Sequence, residues 1–385
     1  MPLFDLDFDA REEDAVLAVL RRRWLTMGDE TRLFEEEFAA MLGQGARCLA
    51  MSSCTAALHA AMHQLGLRPG DEVVVPALTF VADANVVAMC GGTPVLADCA
   101  SPRDWNMNAD TIARVLTPRT RAVVVVHYAG QPCRMEPIVA LCRERGLVLV
   151  EDVAHAVGAT LDGRQCGTFG DMACFSFFSN KNLSCGEGGM FVSRDARRIE
   201  QARLFRSHGM TTLTLDRHKG RADSYDVLSP GLNCRITEMG AALGRVQLAK
   251  LAANNDRRRH LTDRYARALD SVPGLSRPWP DSDDSSDSGD DTRQSSCHIL
   301  PVLLPQGTDR AAVMAGMRGE GIQTSIHYPA PQSFTAYAGQ FRDTPVAAGV
   351  CARELTLPLF PSMTESMIHD VVGALRTHLL QQDAT

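Results

Sequence analysis

A series of short apolar runs, each followed by a helical stretch, constrains this chain more than any other feature. Residues 73–75, 91–98, 121–126, 147–150 and 172–178 read as buried strands. Residues 111–116 and 135–145 between them carry helical periodicity. Parallel neighbours in a sheet need a crossover connection, and a helix is its usual form. The expected fold class is therefore α/β, with a mostly parallel central sheet flanked by helices. Before this region, 11–42 reads as two helices broken at Thr26-Met27-Gly28, with Leu33, Phe34 and Phe38 on one face. Beyond it, 195–206, 238–269, 310–320 and 365–380 read as helices and 297–304 as a strand.

The polar residues fall at the ends of these runs. Asp152 stands just past the strand 147–150, at the edge where open α/β sheets bind ligands. His155 follows three residues later. After the strand 172–178 the chain turns polar, exposes Lys181, and reaches Gly186-Glu187-Gly188-Gly189 before a second apolar stub. That order predicts a hairpin-like holder for Lys181. The chain has only three lysines, at 181, 219 and 250, and arginine elsewhere. Arginine serves a purely electrostatic role as well or better, so a lysine here points to an amine that loses its proton, as in a Schiff base. A surface lysine in a turn is the alternative. Ser52, Ser53 and Thr55 open another helix, where they either cap it or, with the free N–H groups, form an anion site.

Composition excludes several functions. The net charge is −7, which is unlike a nucleic-acid binder. No apolar run approaches the ~18 residues of a membrane helix. The acidic amino terminus has no positive segment ahead of an apolar one and does not read as a signal peptide. The 12 cysteines include no C-x-x-C pair, so a reduced, cytoplasmic protein is expected, with no metal. The aspartate- and serine-rich run 281–292 has no means of burying a core and is expected to be a mobile loop.

Asp152, His155 and the segment SFFSNK…GEGG around Lys181, at their spacing, resemble the sugar-aminotransferase family known as DegT, DnrJ and StrS. The resemblance extends over nearly the whole chain. It implies an aspartate-aminotransferase-like enzyme of fold type I, with a large cofactor-binding domain over 1–250 and a smaller C-terminal α+β domain over 251–385. It implies pyridoxal 5′-phosphate on Lys181, with Asp152 keeping the pyridine nitrogen protonated and His155 at the phenolic oxygen. SSCTAALH matches the family's phosphate turn through Thr55 and Ala56, joined by Ser176, although Cys54 stands where the family often has glycine. Phe80 would stack on the ring, or else pack in the core.

DVLSPGLNCR resembles the family segment that reaches the neighbouring subunit, which maps cofactor binding onto Asn233 and an anion contact onto Arg235. Leu232 replaces the usual aromatic there. His327 and Tyr328 match a substrate-side segment, and Trp24 lies in the family's entry turn or serves plain packing. A homodimer with shared sites follows from the resemblance, as do an amino donor, glutamate, and a keto acceptor. That acceptor is a nucleotide-linked keto-deoxysugar, a keto-cyclitol or a non-sugar natural-product intermediate. A sugar-dehydrating branch has histidine in place of the lysine, so Lys181 argues against it. A cofactor-binding regulatory protein without turnover is the remaining alternative.

Overall fold

Three consecutive valines at 73–75 and four at 123–126 become strands buried on both faces. The computed structural model describes residues 1–212, 220, 223–279 and 292–381. Within them the chain forms β1 (Arg47–Met51), β2 (Glu72–Pro76), β3 (Thr93–Ala97), β4 (Thr120–Val126), β5 (Val148–Asp152), the two-residue strands β6 (Thr160–Leu161) and β7 (Arg164–Gln165), β8 (Met172–Ser176) and β9 (Gly189–Ser193). Seven of these make one sheet in the order β1-β9-β8-β5-β4-β2-β3. From β3 to β8 every neighbouring pair is parallel. Only β9 runs against its neighbours β8 and β1.

Successive strand residues face opposite sides of this sheet. Val73, Val75, Val124, Val126 and Val150 join one core, with Leu58, Met62, Val86 and Val87 of the crossover helices α3 (Cys54–His63) and α4 (Ala82–Met89). Val74, Val123, Val125 and Leu149 join the other, with Ile112 and Ile138 of α5 (Ala109–Ala113) and α6 (Met135–Arg145). Two apolar faces explain why these strands read as unbroken apolar runs rather than alternating ones.

The amino-terminal helices are α1 (Ala10–Arg22) and α2 (Asp29–Leu42), with the predicted break between them. Phe34 packs on Phe177 at 5.2 Å between ring centroids and Phe38 on Phe175 at 5.0 Å. Each buried ring contributes roughly 1.5–3 kcal/mol. The Gly28 cap of α2 has no side chain to offer. Instead the Glu238 carboxylate accepts the N–H groups of Gly28, Glu30 and Thr31 at 2.6, 2.9 and 2.9 Å. A negative charge suits this end of a helix.

Beyond α7 (Ala196–Arg206) the 32-residue helix α8 (Glu238–Leu269) belongs to two cores. Ala241 and Leu251 pack with Phe34 and Phe177, whereas Leu261, Tyr265 and Leu269 pack under a second, antiparallel sheet. That sheet pairs β11 (Leu300–Leu303) with β12 (Glu354–Leu357), flanked by α9 (Arg310–Gly319) and α11 (Glu365–Leu380), with α10 (Pro345–Arg353) leading into β12. A third small sheet is built from β6, β7 and β10 (Arg293–Gln294).

The helices α6, α8 and α11 have the predicted bounds. The strand expected over 297–304 begins only at Leu300, because Ser296 and His298 donate their N–H groups to Gly130 and Ala129 instead. Residues 281–291 of the acidic run lie outside the described residues, as does Lys219. All 12 cysteines are free thiols, and all but Cys90 are buried. Among the described residues no helix is long and apolar enough to cross a membrane.

Candidate active site

Strands β8 and β9 pair antiparallel and hold the loop that carries Lys181. The loop is closed by Phe177 N–H to Gly188 O and Cys185 N–H to Phe177 O, both 2.9 Å. Its glycines have a packing task. A Cβ on Gly189 would lie 2.4 Å from the carbonyl carbon of Ser53. Only glycine lets β9 run against the entry of α3, and this brings the start of that helix beside the lysine loop.

A cavity of about 320 Å³ opens there. Thr55, Phe80, Asp152, His155, Ser176, Lys181, His327 and Tyr328 all line it. Such a volume is in the range of small-molecule sites. Thr55 is exposed in the first turn of α3, whose Ser53 hydroxyl accepts the Ala56 N–H at 3.1 Å. Ala56 itself is buried behind that turn. Phe80 is not a core residue: 55% of its surface is exposed, toward the ring of Tyr328 at 5.6 Å.

Asp152 ends β5 and accepts the Ala154 N–H at 2.7 Å. Burial raises its pKa, while the Ala154 N–H and the nearby Lys181 oppose the rise. Asp83, buried on α4 and bonded to the Thr79 hydroxyl at 2.6 Å, lies against it. Burial and the charge of Asp152 push Asp83 well above the usual carboxylate range. The proton of this carboxyl pair therefore resides on Asp83 and the charge on Asp152, which alone of the two has a backbone N–H and a lysine to compensate it.

Three neutral histidines stand around Lys181. Burial, followed by the lysine's charge, lowers the pKa of each: to about 4 for His327, and well below the usual value for His155 and His298. Their outer bonds fix their tautomers. Ala129 N–H donates to His155 Nδ1 at 3.2 Å, so the proton of His155 is on Nε2, 2.8 Å from the Tyr328 hydroxyl. His327 Nδ1 lies 2.8 Å from the Thr356 hydroxyl, which donates to Glu354 when that carboxyl is ionised and then accepts from His327, leaving Nε2 as an acceptor. Lys181 Nζ lies 3.3 Å from His298 Nε2. Burial lowers Lys181 to about 8, against the opposing pull of Asp152 and Cys54. The arrangement presents an amine that titrates near neutrality beside a buried carboxylate, with no strong acid in contact with it.

Three predicted residues lie elsewhere in the chain. Trp24 lines no part of the cavity, and its indole N–H donates to Met27 O at 3.2 Å. Asn233 is exposed and pairs with Ser207 in an isolated bridge. Arg235 bridges Met51, and its Nη1 is buried without a hydrogen-bond partner. Conversely, His298, Asn182, Asp83 and Glu354 support the site without having been predicted. His298 had one weak signal, a histidine at the head of an apolar run.

The model of the DegT/DnrJ/EryC1/StrS aminotransferase family matches residues 7–376. The chain belongs to that family. A dTDP-4-dehydro-2,3,6-trideoxy-D-glucose 4-aminotransferase from Saccharopolyspora spinosa is 37% identical over 382 residues, covering 96% of each chain. The crystal structure of the aminotransferase TlmJ from Streptoalloteichus hindustanus covers 100% of both chains at 35% identity and a TM-score of 0.90. The putative sugar aminotransferase Spr1654 from Streptococcus pneumoniae, solved in a PMP form, covers 99% of both chains at 26% identity and a TM-score of 0.88. Its PLP form is as similar, with 25% identity and the same TM-score over 99% of both chains. The protein is thus a pyridoxal-phosphate-dependent aminotransferase with the fold type I architecture of its family.

Proposed function

We propose that this aminotransferase moves the amino group of L-glutamate to the keto carbon of a nucleotide-linked keto-deoxysugar, in amino-sugar or antibiotic biosynthesis. One observation carries the chemistry: a single buried cavity joins Lys181, with its pKa near 8, to the Asp152 carboxylate and the open first turn of α3. The sugar acceptor is supported by the 37% identity to the enzyme acting on a dTDP-linked dehydro-sugar.

The residues present fit pyridoxal phosphate. The first N–H groups of α3 lack intrahelical backbone partners, and those not capped by the Ser53 hydroxyl, as that of Ala56 is, suit a phosphate. Phe80 leaves a large ring uncovered inside the cavity, and Asp152 is a buried charge in need of a cationic N–H. When bound, the cofactor supplies the carbonyl that takes up the amino group and a ring that accepts the electron pair. Lys181 would hold it, Asp152 would keep its ring nitrogen protonated, Phe80 would stack, and His155 would donate through Nε2. Thr55, Ala56 and Ser176, with Asn233 of the partner subunit, would bind the phosphate. Lys181 Nζ takes up and returns the proton of the transfer, because a base titrating near the working pH does both. His327 Nε2 and the Tyr328 hydroxyl face the acceptor, with Trp24 and Arg235 at the substrate side.

The reading includes a cytoplasmic homodimer and domains over 1–250 and 251–385, with α8 crossing the division. Exposed Val227, Leu228 and Leu232 beside Asn233 support a partner surface there. Lys181→Ala and Asn233→Asp/Arg235→Ala subunits, mixed and re-associated, should regain about one quarter of wild-type activity, as random pairing at shared sites requires. The main test is a two-step reaction. Glutamate should release one 2-oxoglutarate per subunit and convert the cofactor to its amine form. A dTDP-linked 4-keto-deoxysugar should then reverse the absorbance change and gain an amine by mass spectrometry. Release of 2-oxoglutarate with no turnover of any nucleotide-linked keto-sugar would overturn the acceptor.

A further inference from the structure

The geometry points to His298 as the positioning residue of Lys181: its Nε2 accepts an N–H of the lysine, and an amide chain behind it keeps the imidazole in the one tautomer that does so. This rests on the reading of Lys181 as the residue that holds the cofactor.

The chain of hydrogen bonds can be followed from a backbone carbonyl outward. Asn255, in the middle of α8, donates its amide N–H to Val157 O at 2.9 Å. Its Oδ1 accepts from the Asn182 amide nitrogen at 2.8 Å, and that nitrogen also donates to Ser296 O at 2.8 Å. A backbone carbonyl only accepts, so the Asn182 amide has a single orientation, with Oδ1 toward His298. His298 Nδ1 lies 3.0 Å from that oxygen and must therefore carry the proton. Nε2 is left with its lone pair, 3.3 Å from Lys181 Nζ. Asn182, Asn255 and His298 are all buried, so water does not compete for these bonds. Gly130 makes the arrangement possible: at φ +91° its backbone lies so close to the 296–298 segment that a Cβ would fall 2.3 Å from Ser296 Oγ.

The physical consequence concerns the lysine when it is a free amine. A four-carbon side chain has several rotamers, and its lone pair is directed only if an N–H is held. His298 holds one N–H in both protonation states, because a neutral imidazole accepts from an amine or an ammonium. It does not take the proton itself, since burial and the lysine's charge keep it neutral. The other groups facing Lys181 are Asp152, Cys54, His155 and His327. The Asp152 carboxylate is the charged group among them, and each histidine is held by its own outer bond.

The test uses the apo-protein and needs neither acceptor nor turnover. Trace acetylation with acetic anhydride across pH, read by mass spectrometry, gives the pKa and reactivity of Lys181, with an added lysine-containing peptide as internal standard. The rate of covalent attachment of pyridoxal phosphate is measured in parallel. In His298→Leu the ammonium loses its acceptor, so the Lys181 pKa should fall by about one pH unit. The limiting attachment rate at high pH should nevertheless fall roughly tenfold to a hundredfold, because the amine is no longer aimed. More neutral amine with slower attachment separates positioning from simple titration. His298→Gln, whose amide oxygen reaches the place of Nε2, should restore the rate to within about threefold. His298→Asn, which is too short, should not.

Asn182→Leu, which removes the acceptor of the His298 Nδ1 proton, should move the profile toward that of His298→Leu. If His298→Leu does not fold, the Gln and Asn variants decide. An unchanged Lys181 profile in a folded variant, or equal rates for Gln and Asn, overturns the proposal and leaves the aminotransferase reading intact. If wild-type Lys181 fails to attach pyridoxal phosphate at all, that reading is what fails.

Discussion

Two lysines of this protein sit in opposite surroundings. Lys250, on α8, is ringed by acceptors: Glu12 at 2.8 Å, Asp9 at 3.1 Å and Asp7 O at 2.8 Å. Burial alone would lower its pKa, but the hydrogen bonds to Glu12 and Asp9 outweigh that and raise it. Lys181 has only a neutral imidazole within hydrogen-bond distance among the contacts described, and burial wins, to about 8. What separates a reactive lysine from a structural one is therefore not burial, which acts on both. It is whether a carboxylate is in contact with the amine or held a short distance away, as Asp152 is.

The largest effect expected is on Lys181. Lys181→Ala should lower transamination by about 10⁴-fold or more, since covalent attachment disappears together with a base that alone contributes about 10²–10⁴-fold. Borohydride treatment of the yellow holoenzyme should leave the cofactor's mass on Lys181. Mass found on Lys250 or Lys219 would reverse the contrast. Asp152→Asn comes next: cofactor binding should remain measurable while the glutamate half-reaction slows by about 10²–10³-fold, the scale of a lost electrostatic contact. A near wild-type rate would mean that the carboxylate's distance from the amine has no consequence.

Lys250→Met is the converse. It strands the buried Glu12 and should cost about 3–5 kcal/mol in urea unfolding, with activity per folded molecule unchanged.

The smallest effect is one of pH. Lys181 has a folded pKa below its unfolded value, so between pH 8 and 10.5 the unfolded chain binds more protons and stability rises with pH. Relative to Lys181→Met, the wild-type apo-protein, whose Lys181 is a free amine, should gain up to ~3 kcal/mol across that window, less whatever solvent at the cavity mouth screens. Lys250, with its pKa raised above 10.5, contributes stability that is fully present throughout the window and is lost only above it. Against Lys250→Met, the curve should be flat. Parallel curves for the two variants would remove the distinction.

The sequence carried the site's framework wherever a local pattern determined it. The valine runs, the hairpin around Lys181, the aspartate after β5 and the helices α6, α8 and α11 each depend on residues close in sequence. The supports were not legible, because their meaning arises only from the fold. Nothing local says that Asn182 will meet Asn255 and Ser296, or that Asp83 will lie against Asp152. Glu354 reads as the polar end of a strand, yet it is buried, with its pKa pushed up to about 8, and accepts the His327 N–H at 2.8 Å. The strand predicted from residue 297 failed for the same reason, since contacts with Ala129 and Gly130 override a local β pattern. Trp24, Asn233 and Arg235 have no place at the cavity in a single chain, and the proposed dimer is where they would find one.

Helix α8 has a mechanical meaning as well. At 32 residues it is a rod of about 48 Å. One end lies in the core around Phe34 and the other beneath the antiparallel sheet whose two strands flank His327 and Tyr328 in sequence. Asn255, just past its midpoint, ties it to the residue next to Lys181. That tie stands where a fulcrum would, beside the reacting amine. Tilting the small sheet would swing the substrate-facing wall through its full arc while the lysine, close to the pivot, stays almost still.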